Sequence, residues 1–541
     1  MKKWKNVILL IVIGICVCVP IVLPYFNSGY FPTHDGEWAV VRASEMFREI
    51  RDMQFPPRYS GALNFGYGYP LFNFAYPFPY YLTTILQLGN LGFVDSVKFL
   101  FASSVFISFF GMFFLSFHFW KNKLAGLLSA ILYVYLPYRM VDLYVRGSIG
   151  ESLAFAIYPL ILLSFLLIVE RKHKGIGISC AVILIFMLAL THNIAAVYFG
   201  FIVVAYICAL LIVKKYKETL YVLVSVLWGG LLSIFFVAPA LIEKEFIKLS
   251  KIPIADRGLY FVTVQKLVVP SWGYGTPTDS SPFTYQLGIS QIVGFFVSLF
   301  GFKKVKEFNK SLTVCFSVLT ILLILMMFPI FSMFWELPLL SEINYPWTLL
   351  LPIGFLMSFL SGGILKIKYG KIIALSLALI AIVLVLPYAR PQEYVNHGDA
   401  YYLTNEGTTT SSQELMPLWV KQEPKVRFVN KIDTTAEITN LQYSSDLISF
   451  SSNAVMKEEA FINQIYYPGW KAYINNEESR LSYNNPKGVM EIMLPAGESI
   501  VELRFKETPS RLVFNTVSLL AGIVLLGFLI LNVFKSIRAH R

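Results

Sequence analysis

Long apolar runs recur along most of this sequence and limit its possible folds more than any other feature. A membrane-spanning helix needs about 20 mostly apolar residues. Only 14% of the residues are charged, against roughly 25% in soluble domains. The sequence therefore predicts a polytopic α-helical membrane protein with about twelve transmembrane helices, and it excludes an ordinary cytosolic enzyme. The predicted spans are residues 6–25, 97–118, 124–138, 151–169, 175–191, 194–213, 219–241, 286–302, 311–331, 346–363, 371–388 and 511–533.

Basic residues cluster in the short stretches between these runs. If the chain crosses twelve times and starts inside, every cluster falls on the cytoplasmic side, as the positive-inside rule predicts. The sequence thus predicts a multi-pass membrane protein with both termini in the cytoplasm. Its frequent Lys, Asn and Ile residues indicate a bacterium of low-GC genome, and we therefore expect the membrane to be the bacterial plasma membrane. The clusters lie at residues 2–5, 121–123, 171–174, 214–217, 303–310, 366–371 and 535–541.

Two stretches need a choice within this topology. Residues 71–89 are apolar, but counting them as a span would move the following basic clusters outside. We interpret them as an interfacial or re-entrant piece of the first external loop. Residues 6–25 follow a basic start, as in a signal peptide. We interpret them as an uncleaved span because no small-residue cleavage site follows.

The net charge of +12 does not indicate a nucleic-acid-binding face. Residues 391–509 hold 16 acidic and 10 basic side chains, so the positive charge belongs to the clusters elsewhere. All five cysteines fall inside apolar runs, which indicates neither a disulfide framework nor a metal–thiolate site. We find no P-loop, dinucleotide-binding or zinc-protease motif. Nucleotide hydrolysis and zinc proteolysis are therefore not supported.

The polar segment near the C-terminus has the alternating pattern of β-strands. Apolar and polar residues alternate over 489–494 and over 501–506, and the turn sequence 495–498 lies between them, which predicts a hairpin. Residues 461–467 alternate in the same way. We predict an extracytoplasmic β-sandwich over residues 391–509.

The predicted organisation has three parts. Residues 1–390 form a transmembrane domain, and its external loop 26–96 contains an amphipathic helix. The β-sandwich of 391–509 follows. Residues 510–541 supply a final transmembrane helix and a cytoplasmic basic tail. Each motif with chemical potential lies on the predicted external side.

Asp35 follows the first span directly, in the motif Thr-His-Asp-Gly-Glu-Trp at residues 33–38. A carboxylate at the outer membrane edge is suited to act as a general base. It also permits, without requiring, a divalent cation such as Mg²⁺ or Mn²⁺. Alternatively, Asp35 caps an amphipathic helix that runs to about residue 52 and lies on the membrane. The apolar face of that helix would hold Ala39, Ala43, Met46, Ile50 and Met53, and the other face Arg42, Glu45, Glu49 and Asp52.

A second motif joins the third and fourth spans at residues 137–151. It contains Arg139 and Arg146, and Glu151 opens the next span. Guanidinium groups match phosphate oxygens in bidentate geometry, so the motif can hold a phosphate. The alternative is a salt-bridged loop whose arginines extend to lipid headgroups.

Two shorter motifs complete the set. His192 and Asn193 form a very short external turn between two spans, where His192 can donate a hydrogen bond or help to bind a metal; a purely structural histidine is the alternative. Tyr345 and Trp347 precede the tenth span. Their rings can stack on a sugar or belong to the aromatic belt that lines membrane interfaces.

The order of these motifs resembles that of the GT-C membrane glycosyltransferases, and more closely that of the bacterial YfhO-type and "6-pyruvoyl-tetrahydropterin synthase-related" membrane proteins, a label that implies no pterin chemistry. The resemblance rests on residues 34–36, 136–151 and 191–193, and on the stretches 467–473 and 494–497. It covers nearly the whole chain. Short motifs in the same order and on the same side carry it.

This resemblance implies a polyprenyl-phosphate sugar donor and transfer on the extracytoplasmic face. Asp35 matches the acidic residue of the first external loop, which acts as the catalytic base or as an organiser. Relatives often have arginine after the Pro-Trp pair, whereas this chain has Thr348 there, so a phosphate contact would pass to Arg139 or Arg146. The other predicted substrate-binding residues are His34, Glu37, Glu151, His192, Asn193, Tyr345 and Trp347.

Three functions follow as hypotheses. The first is a glycosyltransferase that acts on a cell-envelope glycopolymer, glycolipid or protein. Its further partner would be membrane lipid, and we expect no nucleic-acid partner. The second is a transporter or flippase for a lipid-linked saccharide, for which paired ionisable groups at mid-membrane would be the signature. The third is a non-catalytic assembly protein with a glycan-binding β-domain, which would not need both Asp35 and the arginine motif.

Overall fold

The computed structural model describes residues 2–170, 173–252, 254–276, 282–302, 305 and 307–540, with backbone alone at 2–5 and 533–540. Parts of the predicted basic clusters, at 171–172, 303–304, 306 and 541, lie outside the described residues. Within the described part, ten helices are long and apolar enough to cross a membrane. They are Asn6–Phe26, Phe93–Trp120, Ile149–Val169, Lys174–Thr191, Asn193–Ile212, Tyr216–Phe246, Glu307–Met326, Pro346–Lys366, Gly370–Tyr388 and Pro509–Asn532.

The predicted span 124–138 is wrong as a single straight helix. The structure has Lys123–Val134 followed by Pro137–Arg146, with a bend of 45° between them. Leu136 is extended because it precedes Pro137, whose ring disfavours the helical conformation of the preceding residue. The second piece thus leaves the bundle axis and carries its arginines to the end of the bundle.

The predicted span 286–302 contains a helix of only 11 residues, Ile289–Leu299. Gly288 has a φ of +89°, a conformation that ends regular structure before the helix begins. Gly288 approaches Pro137, whereas Gly301 approaches Gly363. The segment therefore runs between the two ends of the bundle although its helix is short.

The described parts of the basic clusters meet at one end of the bundle. Lys121 Nζ is 3.7 Å from a carboxylate oxygen of Glu170. The side-chain amide of Asn309 donates to the Phe119 carbonyl over 3.4 Å. Gly175 approaches the side chain of Asn532. This common end is what the positive-inside interpretation expects of the cytoplasmic side.

The external loop contains the helix Gly36–Arg51 at the predicted place. It does not lie with one face free, because Glu45 and Glu49 of its predicted polar face are 3% and 1% exposed. It packs against the helices Phe78–Leu88, Phe93–Trp120 and Asp399–Leu403. Burial raises the pKa of Glu45 to about 7. The expected membrane-surface position is therefore wrong, since protein covers both faces. Short helices also form at Leu71–Phe74, Val264–Val268 and Asp399–Leu403.

The polar C-terminal segment forms two antiparallel sheets, which agrees with the predicted β-domain. The strands are β1 Ile432–Asp433, β2 Glu437–Tyr443, β3 Leu447–Ala454, β4 Glu458–Ile465, β5 Trp470–Ile474, β6 Glu477–Ser479, β7 Val489–Leu494 and β8 Gly497–Phe505. One sheet has the order β1–β4–β7 and the other β2–β3–β8–β5–β6. The first strand begins at Ile432, so residues 391–431 precede the sheets.

The predicted hairpin of β7 and β8 is wrong. Both strands exist, but β7 pairs with β4, and β8 pairs with β3 and β5. The turn at 495–496 carries the chain from one sheet to the other. β7 is buried at five of its six residues and β8 at every second residue from Ser499 to Phe505, so each strand supplies apolar side chains to the interior of the domain.

A buried ionic clamp fixes the β-domain against the bundle. Arg511, at the start of the last span, donates from Nε to one oxygen of Glu243 over 2.7 Å and from Nη2 to the other over 2.6 Å. The Tyr467 hydroxyl and the Asn73 amide also donate to Glu243. The clamp thus joins the external loop, the span Tyr216–Phe246, the sheets and the last span.

Candidate active site

A cavity of about 200 Å³ lies at the end of the bundle opposite the basic clusters. The helix Lys174–Thr191 starts at the basic end and reaches the cavity at His192. Three predicted site residues, Asp35, Arg146 and His192, meet in its wall. The complete lining is Asp35, Trp38, Ala39, Arg42, Tyr76, Tyr80, Arg146, Gly147, Ser148, Ile149, His192, Thr410, Ser411 and Glu414.

Backbone pairing brings the first two motifs together. The His34 amide donates to the Val145 carbonyl over 2.9 Å, and the Asp35 amide donates to the Arg146 carbonyl over 2.7 Å. Gly147 follows with a φ of +64°, and a Cβ there would collide with Thr33. Only glycine satisfies both the conformation and the close approach.

Asp35 is the residue before helix Gly36–Arg51, but its side chain does not cap that helix. The Gly36 amide instead donates to the Thr33 hydroxyl over 3.0 Å. The Asp35 carboxylate accepts no hydrogen bond from the described residues and faces the cavity. The capping alternative is therefore correct in placing Asp35 directly before the helix and wrong in assigning its side chain to a capping hydrogen bond. The carboxylate is left available for chemistry.

Arg146 is held from behind. Its Nη1 donates to the Tyr138 hydroxyl over 3.0 Å and forms an ion pair with Glu151. The Tyr138 hydroxyl in turn donates to Glu151 over 2.6 Å. The guanidinium carbon lies 5.0 Å from the centre of the Trp347 ring. These contacts fix the arginine at the cavity wall and place Trp347 and Glu151 behind it.

Arg139 lies away from the cavity. It is 0% exposed and donates to Asp142 over 3.3 Å, to the Ser152 carbonyl over 3.1 Å and to the Ser104 hydroxyl over 2.5 Å. Its guanidinium carbon is 4.5 Å from the centre of the Phe155 ring. The geometry therefore gives Arg139 contacts inside the bundle.

His192 occupies the turn between two spans, and its ring is half-buried. Nδ1 accepts the Ala195 amide over 3.1 Å, which assigns the proton of the neutral ring to Nε2. The pKa of His192 is lowered to about 4, chiefly by burial; the charge of Glu151 opposes this shift and that of Arg146 adds to it. The ring is thus a neutral hydrogen-bond donor at neutral pH.

The close approach of Gly150 puts His192 in place. A Cβ on Gly150 would collide with the Thr191 carbonyl and with the Tyr76 ring. The Tyr76 ring centre is 5.5 Å from that of His192. The absence of a side chain at position 150 thus lets the turn lie against the second motif.

The remaining predicted residues lie near the cavity but not in its lining. His34 Nε2 is 3.2 Å from the Tyr274 carbonyl oxygen. Glu37 is half-buried, and burial raises its pKa. Asn193 is exposed, and the Tyr345 ring centre is 5.7 Å from that of Trp347. These four residues are therefore not part of the cavity lining.

Thr348, which stands where relatives have arginine, does not compensate for that residue. It is 4% exposed, and its hydroxyl is 2.6 Å from the Tyr198 hydroxyl. Of the two arginines considered for a phosphate contact, the cavity contains Arg146.

The sequence reasoning missed Arg42 and Glu414. Arg42 projects from helix Gly36–Arg51 and donates from Nε to the Thr409 hydroxyl over 3.2 Å and from Nη2 to the Thr409 carbonyl. Glu414 comes from the segment that precedes the sheets. The helical periodicity assigned Arg42 to a solvent-facing side, and no signal linked residue 414 to a motif far earlier in the chain.

The residues present do not fit a metal site with three protein side chains. Asp35, Glu414 and His192 line the cavity together with two arginines. In the described part of the chain, no group of three or more His, Cys, Asp or Glu side chains is arranged to hold a metal ion. No step below depends on one.

The fold and the site together define a polytopic membrane protein with a cavity at the end of the bundle opposite the basic clusters, lined by charged side chains and by residues of the segment before its β-domain. The chain belongs to the 6-pyruvoyl-tetrahydropterin synthase-related family of membrane proteins, whose model matches residues 72–395. No curated protein matches the chain by sequence.

Several solved structures are similar to this chain at low identity. The oligosaccharyltransferase of Archaeoglobus fulgidus in the apo form is 14% identical with a TM-score of 0.43 over 74% of this chain and 56% of its own. ArnT from Cupriavidus metallidurans bound to undecaprenyl phosphate is 12% identical with a TM-score of 0.42 over 74% and 75%. The mycobacterial arabinofuranosyltransferase AftD is 12% identical with a TM-score of 0.46 over 72% and 27%. The chain thus spans just over half the length of the archaeal enzyme.

Proposed function

We propose that this protein is a glycosyltransferase that moves a sugar from a polyprenyl-phosphate donor to a cell-envelope acceptor on the extracytoplasmic face. One observation carries the proposal: the unbonded carboxylate of Asp35 and the fixed guanidinium of Arg146 share one cavity, joined by direct backbone pairing. A base and an anion-binding group are what this reaction needs. The family resemblance of the motifs supports the same class.

In the proposed reaction, Asp35 removes the proton of an acceptor hydroxyl as its oxygen attacks the anomeric carbon of the donor. The new bond joins that oxygen to the carbon. The bond between the carbon and the phosphate oxygen breaks, and its electron pair leaves with the lipid phosphate. A single displacement of this kind inverts the anomeric configuration.

Cationic and neutral donors in the lining then have distinct roles. Arg146 and Arg42 stabilise the charge that develops on the departing phosphate. His192 donates from Nε2 to an oxygen of the substrate. Trp38 presents an aromatic face in the lining against which a sugar ring can stack. The predicted divalent cation has no part in these steps.

The position of the cavity suits a donor whose lipid stays in the bilayer. The spans Ile149–Val169 and Lys174–Thr191 both have an end at the cavity. A phosphate at the membrane surface therefore reaches Arg146 while its polyprenyl chain stays among apolar helices. The basic clusters at the other end support the proposed extracytoplasmic location.

The test is transfer from a panel of polyprenyl-phosphate sugars by the purified protein in lipid nanodiscs. We expect wild type to release polyprenyl phosphate and Asp35→Asn to lose at least about 10³-fold in rate, because the general base is removed. Asp95→Asn is the matched control, since Asp95 lies on the same side with its side chain 63% exposed. Unchanged release by a folded Asp35→Asn protein would remove the base assignment.

One observation favours the transporter alternative. A broken helix, Lys123–Val134 with Pro137–Arg146, encloses the ion pair of Arg139 and Asp142 inside the bundle, and broken helices with buried charges are typical of transporters. Movement of a labelled lipid-linked saccharide across vesicles, without release of polyprenyl phosphate, would support that function. Absence of both activities would favour the assembly protein.

A further inference from the structure

The β-domain contains a second, larger recess, which the proposed chemistry does not use. It has a volume of about 640 Å³ and lies between the segment 419–421 and the loop 480–486 that connects β6 to β7. The amides of Lys421 and Gln422 both donate to the Pro486 carbonyl, over 2.9 and 2.8 Å. The two walls are therefore tied together. We call this recess the β-domain groove.

Two aromatic side chains, Trp419 and Tyr483, line the β-domain groove, and the ring of Tyr466, outside the lining, stacks on that of Tyr483. The rings of Tyr466 and Tyr483 are parallel within 6°, with their centres 4.0 Å apart. The Trp419 ring lies 5.4 Å from that of Tyr483, and its Nε1 donates to the Tyr466 carbonyl over 3.1 Å. Gly488, with a φ of +63°, lets the backbone pass close to Trp419. The rings are thus held in place before any ligand binds, as in carbohydrate-sized sites lined by aromatic side chains.

The charged groups of the β-domain groove have one sign. Lys421 and Arg480 are exposed in its lining, and neither pairs with an acidic side chain among the described residues. No acidic residue belongs to the lining. Asn485 is used internally, since its side-chain amide donates to the Val489 carbonyl and to Glu491. The groove therefore offers two unpaired cations beside a fixed aromatic surface, which suits a saccharide with carboxylate or phosphate groups.

The β-domain groove lies close to the candidate active site along the chain. Glu414 lines the cavity and Trp419 lines the groove, and the two residues are five positions apart. Five residues span at most about 18 Å even when fully extended. Backbone hydrogen bonds hold this segment against the bundle: the Lys248 amide donates to Met416 and the Leu418 amide donates to Phe246, both over 2.9 Å. An oligosaccharide of several units bridges such a distance.

We propose that the β-domain groove binds an anionic saccharide chain and holds it as the acceptor, with its free end directed to Asp35. This inference rests on the proposed glycosyltransferase function. A sugar ring lies on the face of Tyr483 and Trp419, and a carboxylate or phosphate of the chain contacts Arg480 and Lys421. The acceptor class is thereby narrowed to negatively charged glycans.

The test measures binding of defined saccharides to the full-length protein in nanodiscs. The probes are a hyaluronan hexasaccharide, which carries carboxylates, pentamannosyl 6-phosphate, which carries a phosphate, and neutral chitohexaose. We expect either anionic probe, or both, to bind at least roughly tenfold more tightly than chitohexaose at low salt, with a difference that shrinks as salt rises. Preference for one anion identifies the acceptor chemistry as carboxylate or phosphate.

Matched variants locate the binding site. Arg480→Gln should weaken binding of the anionic probe roughly tenfold, whereas Arg504→Gln should leave it within about twofold, because Arg504 already pairs with Glu502 on the same domain. Tyr483→Leu should weaken binding, and Tyr443→Leu, at an exposed edge-strand tyrosine, should not. Equal affinity for neutral and anionic probes, or equal losses in the variants and their controls, overturns the inference.

Asp35→Asn separates this inference from the function on which it rests. That variant should bind the anionic probe as wild type does and yet fail to transfer sugar. If wild type transfers sugar but binds no anionic saccharide, the groove assignment fails alone. If wild type binds the probe through Arg480 and Tyr483 but never releases polyprenyl phosphate, the glycosyltransferase proposal fails and the groove remains a glycan-binding site of the kind that an assembly protein uses.

Discussion

Two arginine–carboxylate pairs lie within the 15-residue motif 137–151, and the structure gives them opposite settings. Arg139 and Asp142 are both 0% exposed and 3.3 Å apart. Arg146 pairs with Glu151 but keeps 13% of its side chain exposed, at the cavity wall. The comparison teaches that the same residue types, a few positions apart, divide between holding a broken helix together and contacting a substrate.

The enclosed pair has most of its hydrogen-bond partners inside the protein, although Arg139 Nε and Asp142 Oδ1 are buried without a partner among the described residues. Asp142 accepts a hydrogen bond from Ser152 over 2.5 Å, and Arg139 donates to Ser104 and to the Ser152 carbonyl. These contacts connect the piece Pro137–Arg146 to the two spans beside it. A pair of this kind positions a helix, because its charges have protein partners on several sides and no path to a ligand.

Arg139→Gln should produce the largest effect and should act on stability. It leaves Asp142 as an uncompensated buried charge, which costs about 3–5 kcal/mol. Thermal unfolding in nanodiscs measures the loss, and the transfer rate per folded molecule should stay near that of wild type. The double variant Arg139→Gln/Asp142→Asn is the control, since removal of both charges should recover much of the stability. A stable Arg139→Gln protein without activity would instead assign Arg139 to donor binding.

Arg146→Gln should lower the rate of sugar transfer more than it lowers the stability of the protein. Loss of a group that stabilises developing charge lowers the rate of transfer about 10²–10³-fold, equivalent to roughly 2.7–4 kcal/mol. Stability should fall less than in Arg139→Gln, because Glu151 keeps the hydrogen bond from the Tyr138 hydroxyl and the Arg146 side chain is already partly exposed. Polyprenyl phosphate should raise the unfolding temperature of wild type and not that of Arg146→Gln.

Arg51→Gln controls for the loss of a positive charge on the predicted external side, because Arg51 is exposed at the end of helix Gly36–Arg51, in the loop 26–96. Arg146→Lys should recover only part of the rate, since an ammonium group lacks the bidentate geometry. A protein that transfers sugar normally without Arg146 would shift the phosphate contact to Arg42.

The sequence predicted the helical class and most spans, because hydropathy reports directly on the membrane. It could not separate Arg139 from Arg146. Both fall in the same short motif, and the bend at Pro137 decides which one enters the bundle. The motif order also identified the family that the match to residues 72–395 confirms.

Tertiary contacts account for what the sequence reasoning missed. Arg42 has the spacing of a solvent-facing residue, yet Thr409, from a segment far along the chain, covers it. The alternation around 495–498 is typical of a hairpin, but the two strands belong to different sheets. Period-two patterns report which side chains are buried and do not report which strand is the neighbour.

The smallest predicted effect concerns how the charges of Arg146 and Arg139 influence the pKa of His192. The charge of Arg146 contributes to the low pKa of His192, whereas Arg139 is not among the groups that shift it. Arg146→Gln should therefore raise the pKa of His192, because a nearby positive charge that opposes protonation is lost. Arg139→Gln should leave it unchanged. The measurement is a titration of ¹⁵N-labelled histidine by NMR, with His192→Asn to assign the signal; asparagine preserves a helix-capping side chain at this position.

The direction of the His192 pKa shift also determines how the stability of the protein depends on pH. Since the folded pKa lies below the unfolded value, wild type should lose stability as pH falls from about 6.5 to 4. In Arg146→Gln the folded-state pKa of His192 should be higher, so the pH range over which stability is lost should end at a higher pH. Equal shifts in both arginine variants would mean that the cavity and the enclosed pair form one electrostatic unit.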